Sequence, residues 1–468
     1  MLTNIAYIIA CILFILGIKR LTKPQTARSG NILSAIGMLI AVVTVLFERD
    51  VLDAWDAVDV VGGAYLWILI AVVIGSVIGL VWSKKVQMTG MPELVALYNG
   101  FGGLASFLVA FTQFIQNPNR PDVMIAVSIS LALFTGGITF TGSVLAWGKL
   151  SEKLPGKAVV FPGQNIFNII VLLLIVAASV LYIIPGTPIN MAAVMVIAAV
   201  SLIFGVLFVL PIGGGDMPVV ISLLNALSGV AVAMAGFIIS NTVLVVAGAL
   251  VGASGIILTL IMCKAMNRSI TNLLFSGFGA GSAAVTSGSN AEPKAILIED
   301  AYAILEAAES VVFIPGYGMA VAQAQHVVKE FAQKLEANGC EVNFAVHAVA
   351  GRMPGHMNVL LAEADIPYEQ LKTESDINPI MPQQDVAIVI GANDVVNPAA
   401  LTDTSSPIYG MPIIKAHEAK TVFILKRGKG RGFSGIENEL FTMPNALMIY
   451  GDAKATIAGL SAEFTSAI

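Results

Sequence analysis

Nine apolar stretches, each close to the length needed to cross a bilayer, fill the first 268 residues of this chain. They run near 4–18, 31–47, 64–82, 92–114, 124–147, 166–184, 189–210, 217–239 and 241–263. Backbone polar groups in lipid must be satisfied within their own segment, so such runs are read as membrane helices. The connections between them alternate in charge. Lys19, Arg20, Lys23 and Arg28 follow the first run, and Glu48 to Gly63 then holds five carboxylates against Arg49. Lys84 and Lys85 follow the third run, Arg120 and Asp122 the fourth, Lys149, Lys153 and Lys157 the fifth, and Lys264 and Arg268 the ninth. The positive-inside rule places the basic connections in the cytoplasm, with the N-terminus outside and the residues after the ninth run inside. Ile5 to Ile18 has no basic region before it and no small-residue cleavage site after it, so it is read as a retained span.

Beyond Arg268 the composition changes. Up to that residue there are 13 Lys and Arg and 9 Asp and Glu; the remaining 200 residues carry 12 and 21, a net charge of about −9. An acidic domain without a basic stripe is a poor partner for nucleic acid. Cys11, Cys263 and Cys340 are isolated and show no metal-binding spacing. The division predicted is a membrane domain over 1–268, a Gly/Ser/Ala-rich tether over 269–295, and a soluble domain over 296–468.

In the soluble part, strands predicted at 311–314, 342–347, 386–390, 421–425 and 446–450 alternate with helices at 299–308, 320–337, 356–364 and 452–464. That alternation predicts an α/β Rossmann-like domain with a doubly wound parallel sheet. Its first turn, Pro315-Gly316-Tyr317-Gly318, follows a buried apolar run and precedes a helical pattern. Gly316 and Gly318 take the first two places of a G-x-G-x-x-G fingerprint and Val321 the third, which predicts an anion site of free backbone amides at a helix start. Four more segments fall at predicted strand ends, where open α/β sheets bind ligands: 349–356, 391–398, 426–433 and 451–454. An NAD site usually has a carboxylate after its second strand. Here His347-Ala348-Val349 stands there, with cations at Arg352 and in the Lys426–Arg431 loop, so the charge pattern favours NADP. His347 and His356 are read as hydrogen-bonding or solvated residues rather than catalysts, and Asp394 has a turn role as the alternative to ligand contact.

Within the spans, glycines recur at Gly75, Gly79, Gly136, Gly137, Gly142, Gly248, Gly252 and Gly255; they predict close helix packing, or faces open to a partner's helices. The polar groups there are Asn99, Ser143, Ser222 and Asn225, with Glu93 and Asp216 near span ends, and all four histidines lie in the soluble part.

Taken together, Gly-Tyr-Gly-Met-Ala-Val-Ala-Gln-Ala-Gln from Gly316, Ala-Gly-Arg-Met-Pro-Gly-His from Ala350, Gly-Ala-Asn-Asp-Val-Val-Asn-Pro from Gly391 and Gly-Asp-Ala-Lys from Gly451 resemble the beta subunit of proton-translocating NAD(P) transhydrogenase. So do Met91–Val95, Thr139–Ser143, Asp216–Val220 and Met262–Ser269, and the resemblance covers nearly the whole chain. It implies a soluble domain that binds NADP(H) in an orientation reversed from usual dinucleotide folds. Hydride would pass to or from NAD(H) on an alpha subunit, coupled to proton movement. It also implies a homodimer of alpha–beta units in the lipid bilayer of a bacterial-type inner membrane.

Carried onto matching positions, the cofactor contacts are Gly316, Tyr317, Gly318, Val349, Ala350, Gly351, Arg352, Met353, Pro354, Gly391, Ala392, Asn393, Asp394, Val395, Gly410, Met411, Asp452 and Ala453. Lys426 and Arg427 would hold the 2′-phosphate, and the loop through Gly432 and Phe433 would close over the cofactor. Family members often have tyrosine at the place of Phe433, and some have histidine at that of Asn99. With no histidine in any span, the expectation is a wet path past Asn99, Ser143 and Asn225, a titrating group from the alpha subunit, and Asp216 as the link to the soluble domain. The competing reading is a transporter or channel gated by a nucleotide-sensing domain, which would usually place charged or filter-like residues within the spans.

Overall fold

A computed structural model of the chain describes residues 2–21, 24–47, 63–118, 122–156, 158–184, 190–213, 216–267, 292–404, 406, 408–428 and 436–466. They form two compact units, Met1–Ser151 with Pro162–Leu210 and Ser222–Ile257, and Glu152–Phe161 with Pro211–Ile221 and Leu258–Ile468.

Nine helices among the described residues are long and apolar enough to cross a membrane. They are α1 (Leu2–Leu21), α2 (Pro24–Leu46), α3 (Gly63–Lys85), α4 (Met91–Gln116), α5 (Val123–Leu150), α6 (Gln164–Ile183), α7 (Asn190–Val209), α8 (Met217–Ile238) and α9 (Thr242–Ala265). Chain chemistry marks several starts: Pro92 and Glu93 open α4, and the Asp122 carboxylate caps α5 by accepting the Met124 N–H at 3.0 Å. The fifth helix runs past the predicted 147, so Lys149 lies in its last turn. There it is buried, and its ammonium donates to the carbonyls of Val209 (3.2 Å) and Leu210 (2.7 Å) at the end of α7. A helix end leaves carbonyls without intrahelical partners, and a cation is a natural cap for them. The competing reading looks for charge within the spans; the charge at this helix end has a structural role, capping the carbonyls that end α7.

Small residues let the helix backbones meet. A Cβ on Gly103 of α4 would lie 2.9 Å from the Gly136 carbonyl of α5, and one on Gly229 of α8 would lie 2.2 Å from the Gly252 nitrogen of α9. Gly136, Gly137, Gly248 and Gly255 sit in comparably close contacts, whereas a Cβ on Gly142 would meet the Leu224 and Val209 side chains at 3.2 Å. Gly75 and Gly79 on α3 do not pack in this way; a Cβ on either would meet no other described part of the chain within 4 Å, and α3 is exposed over nearly all its described length.

In the second unit, the α/β part carries a seven-stranded, all-parallel sheet. Its strands are β1 (Lys294–Ala295), β2 (Ser310–Pro315), β3 (Glu341–Ala345), β4 (Leu371–Lys372), β5 (Val386–Ile390), β6 (Thr421–Lys426) and β7 (Ala446–Tyr450). The order is β1-β7-β6-β5-β2-β3-β4, so the winding reverses between β2 and β5. The central strands are apolar runs buried on both faces, as parallel strands require; Val311, Val312, Phe313 and Ile314 are all fully buried. Phe313 stacks on Phe344 with centroids 5.2 Å apart and meets Phe331 edge-on at 6.0 Å. The connecting helices are α10 (Ile298–Glu306), α11 (Tyr317–Val321), α12 (Gln325–Ala337), α13 (His356–Glu363), α14 (Glu374–Ile377), α15 (Ala399–Thr402) and α16 (Ala453–Ser466).

Three sequence expectations need amendment. The predicted helix over 320–337 is two helices, because Gln323 between them takes a left-handed φ of 49°. The sheet begins within the stretch predicted as tether, since Lys294 and Ala295 pair with Leu447 and Met448 at the edge of β7. The rest of that stretch, 269–291, lies outside the described residues. The two-residue β4 beside β3 has no sequence signal of its own.

Candidate functional site

Gly316 to Gly318, 349–354, 391–395, 426–427 and 451–453 all follow the carboxyl ends of strands, so the sheet gathers them along one edge. Gly410 and Met411 come from further along the chain. They are returned to that edge by the Ile414 N–H donating to Val395 O (2.9 Å) and the Gly410 N–H to Ala400 O (2.8 Å).

At the reversal point the two glycine turns pack backbone on backbone. A Cβ on Gly316 would lie 2.4 Å from Ala392 Cα, and one on Gly391, whose φ is +64°, would lie 2.4 Å from Gly318 Cα. The Gly316 N–H donates to Ile390 O, that of Gly318 to Gly391 O, and that of Met319 to Gly316 O. These amides are therefore spent within the fold. The helix that follows has five residues and ends at Val321, which is 42% exposed. The predicted row of free amides is not formed by these three; the glycines serve the close approach of β2's turn to β5's turn.

The 349–354 loop is held by two histidines. His347 Nδ1 accepts the Val349 N–H (3.2 Å), which leaves its Nε2 protonated to donate to Pro412 O (2.8 Å). His356 Nδ1 accepts the Arg352 N–H at 3.1 Å. Both rings are buried and hydrogen-bonded, so of the two sequence alternatives the hydrogen-bonding one holds and the solvated one does not. Burial pulls the His347 pKa below its ordinary 6.5, against the Pro412 carbonyl and the charge of Glu374. A depressed histidine favours the folded state fully above the ordinary pKa, and that stabilisation is lost as pH falls below about 6.5. The unfolding temperature is thus expected to drop from pH 6.5 towards pH 5, and His347→Gln to flatten that part of the profile. An unchanged profile in the variant, by calorimetry, would assign the drop to another group.

Arg352 lies 4.2 Å over the Tyr317 ring and pairs with Glu152 at 2.6 Å. Lys426 ends β6, half-buried, with its ammonium 4.5 Å from the Phe441 ring centroid. Burial lowers its pKa below the ordinary lysine value, and the nearby Asp394 charge partly offsets this. Arg427 is exposed beside it. Asp394 opens a short turn over 394–396 and accepts from Asn393 Nδ2 (3.1 Å). The Asp452 carboxylate receives the N–H of Lys454 at the start of α16 (3.1 Å). Gly432 and Phe433 lie outside the described residues.

Phe441 and Asn438 were not singled out from sequence. Asn438 Nδ2 donates to Asn393 O (2.8 Å) and Asn397 Nδ2 to Glu437 O (3.1 Å), so the 436–442 segment is bolted to the turn after β5. Asn438, two places before the apolar pair Leu440-Phe441, is the only trace of this in the sequence.

In the first unit, Asn99 of α4 donates to Ser143 of α5 at 3.1 Å, between helices brought close by Gly100 and Gly103. Asn225 of α8 is half-buried and follows Leu224, whose Cδ2 would lie 3.2 Å from a Cβ on Gly142. Asp216 precedes α8 and belongs to the second unit.

Residues 3–463 match the family model described as NAD(P) transhydrogenase beta subunit. The chain is 47% identical over 464 residues to NAD(P) transhydrogenase subunit beta of Rhodospirillum rubrum, with 97% of each chain covered. The protein of that name from a particular strain of the same species gives the same figures.

Proposed function

The chain belongs to the NAD(P) transhydrogenase beta subunit family, a component of an enzyme complex, and is a multi-pass membrane protein. From that premise we propose that its α/β domain binds NADP(H) and exchanges hydride with NAD(H) on an alpha subunit, coupled to proton movement through the helices of the first unit. The observation that carries the NADP(H) assignment is the pairing of two features at one sheet edge. The end of β3 offers His347 in place of a carboxylate, and β6 ends in Lys426 and Arg427. A ribose 2′-hydroxyl needs an acceptor, whereas a 2′-phosphate needs cations. Lys426 and Arg427 would hold that phosphate. The 349–354 loop, Gly391–Val395, Gly410-Met411 and Asp452-Ala453 would orient the rest of the molecule, over a floor made by Gly316 and Gly318. The cofactor, when bound, supplies the hydride chemistry, so no nucleophile–base pair is required of the chain.

The remaining assignments follow the same premise: alpha–beta units paired as a homodimer in a bacterial-type inner membrane, N-terminus outside, α/β domain in the cytoplasm. Membranes holding this chain with its alpha partner should transfer hydride between NADH and an NADP analogue, with movement of protons. Failure of transfer when both cofactors bind would overturn the proposal and leave the gated-transporter reading.

For the proton we propose a hydrated path past Asn99, Ser143 and Asn225, with Asp216 as the link to the α/β domain. Amides and hydroxyls order water without titrating near neutral pH, so the titrating group would come from the alpha subunit. Leucine at Ser143 removes the hydroxyl that accepts from Asn99 and fills the gap with an apolar side chain. Ser143→Leu or Asn225→Leu should abolish pumping and slow the coupled reaction while NADP(H) binding survives. Normal pumping in both variants, or pumping by this subunit alone, would refute the path.

A further inference from the structure

Two segments of the proposed cofactor site are each tied to a residue two places beyond a membrane-length helix, all within the second compact unit. Glu152 follows Leu150, the last residue of α5, and its carboxylate takes the Arg352 guanidinium at 2.6 Å. Asn267 follows Ala265, the last residue of α9, and donates to the Tyr409 carbonyl beside Gly410. The two segments are joined to each other by His347 Nε2 donating to Pro412 O.

Both tethering residues have left-handed backbones, with φ of 57° at Glu152 and 48° at Asn267. Asparagine visits that region readily; glutamate does not, and glycine is the usual residue just past a helix end. A glutamate there is unfavourable for the backbone, and its side chain is 76% exposed. What the side chain does is hold Arg352, whose own side chain is 13% exposed and lies over Tyr317.

We propose that Glu152 is a positioning residue that regulates the hold of Arg352 on a cofactor phosphate, and so reports cofactor occupancy to the end of α5. This rests on the reading of the 349–354 loop as part of a dinucleotide site. A carboxylate and a phosphate compete for one guanidinium, and where the fork holds both, the two anions repel. Either way Glu152 weakens anion binding at Arg352. By linkage, the bound anion weakens the hold on Glu152 to the same degree and frees the connection after α5.

The test is a titration of the full-length chain with NADP+ and NADPH by calorimetry, in the parent, Glu152→Gln, Glu152→Gly, Arg352→Ala and Glu152→Gln/Arg352→Ala. Glu152→Gln is expected to bind about fivefold more tightly, the scale of a partly exposed ion pair. That gain should shrink as salt rises. Glu152→Gly suits the backbone while removing the same charge, so it should show the same gain and serves if the glutamine variant misfolds. With alanine at 352 the substitution at 152 should change nothing. A parent that binds neither form overturns the dinucleotide site itself. A parent that binds, with both Glu152 variants equal to it or weaker, overturns the role of Glu152. So does a gain that persists without Arg352.

Discussion

Replacing Lys426 and Arg427 together by alanine is expected to weaken NADP(H) binding about a hundredfold and to leave NAD(H) binding nearly unchanged. Hydrogen bonds to charged groups contribute about 1.5–3 kcal/mol each, so two cations on one phosphate amount to about 3 kcal/mol or more. The two residues are not equivalent. Arg427 is exposed, whereas Lys426 is half-buried over Phe441 and already disfavoured as a cation by burial. A phosphate arriving beside Lys426 offsets that desolvation, so the single Lys426→Ala variant should lose more than the single Arg427→Ala variant. Calorimetric titration of the four chains with both cofactors measures this directly. A double variant that binds NADP(H) as tightly as the parent would move the phosphate to Arg352.

The second large effect concerns stability. Gly391→Ala should destabilise the α/β domain by about 3 kcal/mol, combining a left-handed non-glycine residue, about 1–2 kcal/mol, with forced overpacking, about 1–3 kcal/mol. The overpacking has a specific site, because the new Cβ would stand 2.4 Å from the backbone of Gly318. Backbone cannot rotate aside as a side chain can. The Gly318 N–H to Gly391 O bond would be strained by the same shift. Gly339 separates the two contributions: its φ is +89° and nothing lies within 4 Å of its Cβ position. Gly339→Ala should therefore cost only the backbone part. For a domain of this size, 3 kcal/mol corresponds to a fall of about 6–12 °C in the calorimetric transition. Equal transitions for the Gly391 and Gly339 variants would show that the two turns can part, and would remove the packing argument.

Much of this molecule can be read without its structure because the governing forces are local or periodic. Nine apolar runs of about twenty residues point to membrane-length helices, since a run of that length in lipid can satisfy its backbone within itself as a helix. Alternating apolar runs and helical patterns likewise determine a parallel sheet, and strand-end residues such as Arg352, Asp394, Lys426 and Asp452 then fall on one edge by topology alone. Tertiary structure decided what depends on distant backbones meeting. Gly316 and Gly391 are 75 residues apart, and only their contact at the reversal point shows that the glycines space two turns and that three amides there are already spent. Lys149, placed by sequence in the connection after the fifth run, is held by the carbonyls ending α7. The hold of Glu152 on Arg352 joins residues 200 positions apart, a distance over which no spacing rule operates. Sequence periodicity specifies which face of an element is buried; which partner that face or loop meets is specified by packing, because contact energies act between whatever the completed fold brings within a few ångströms.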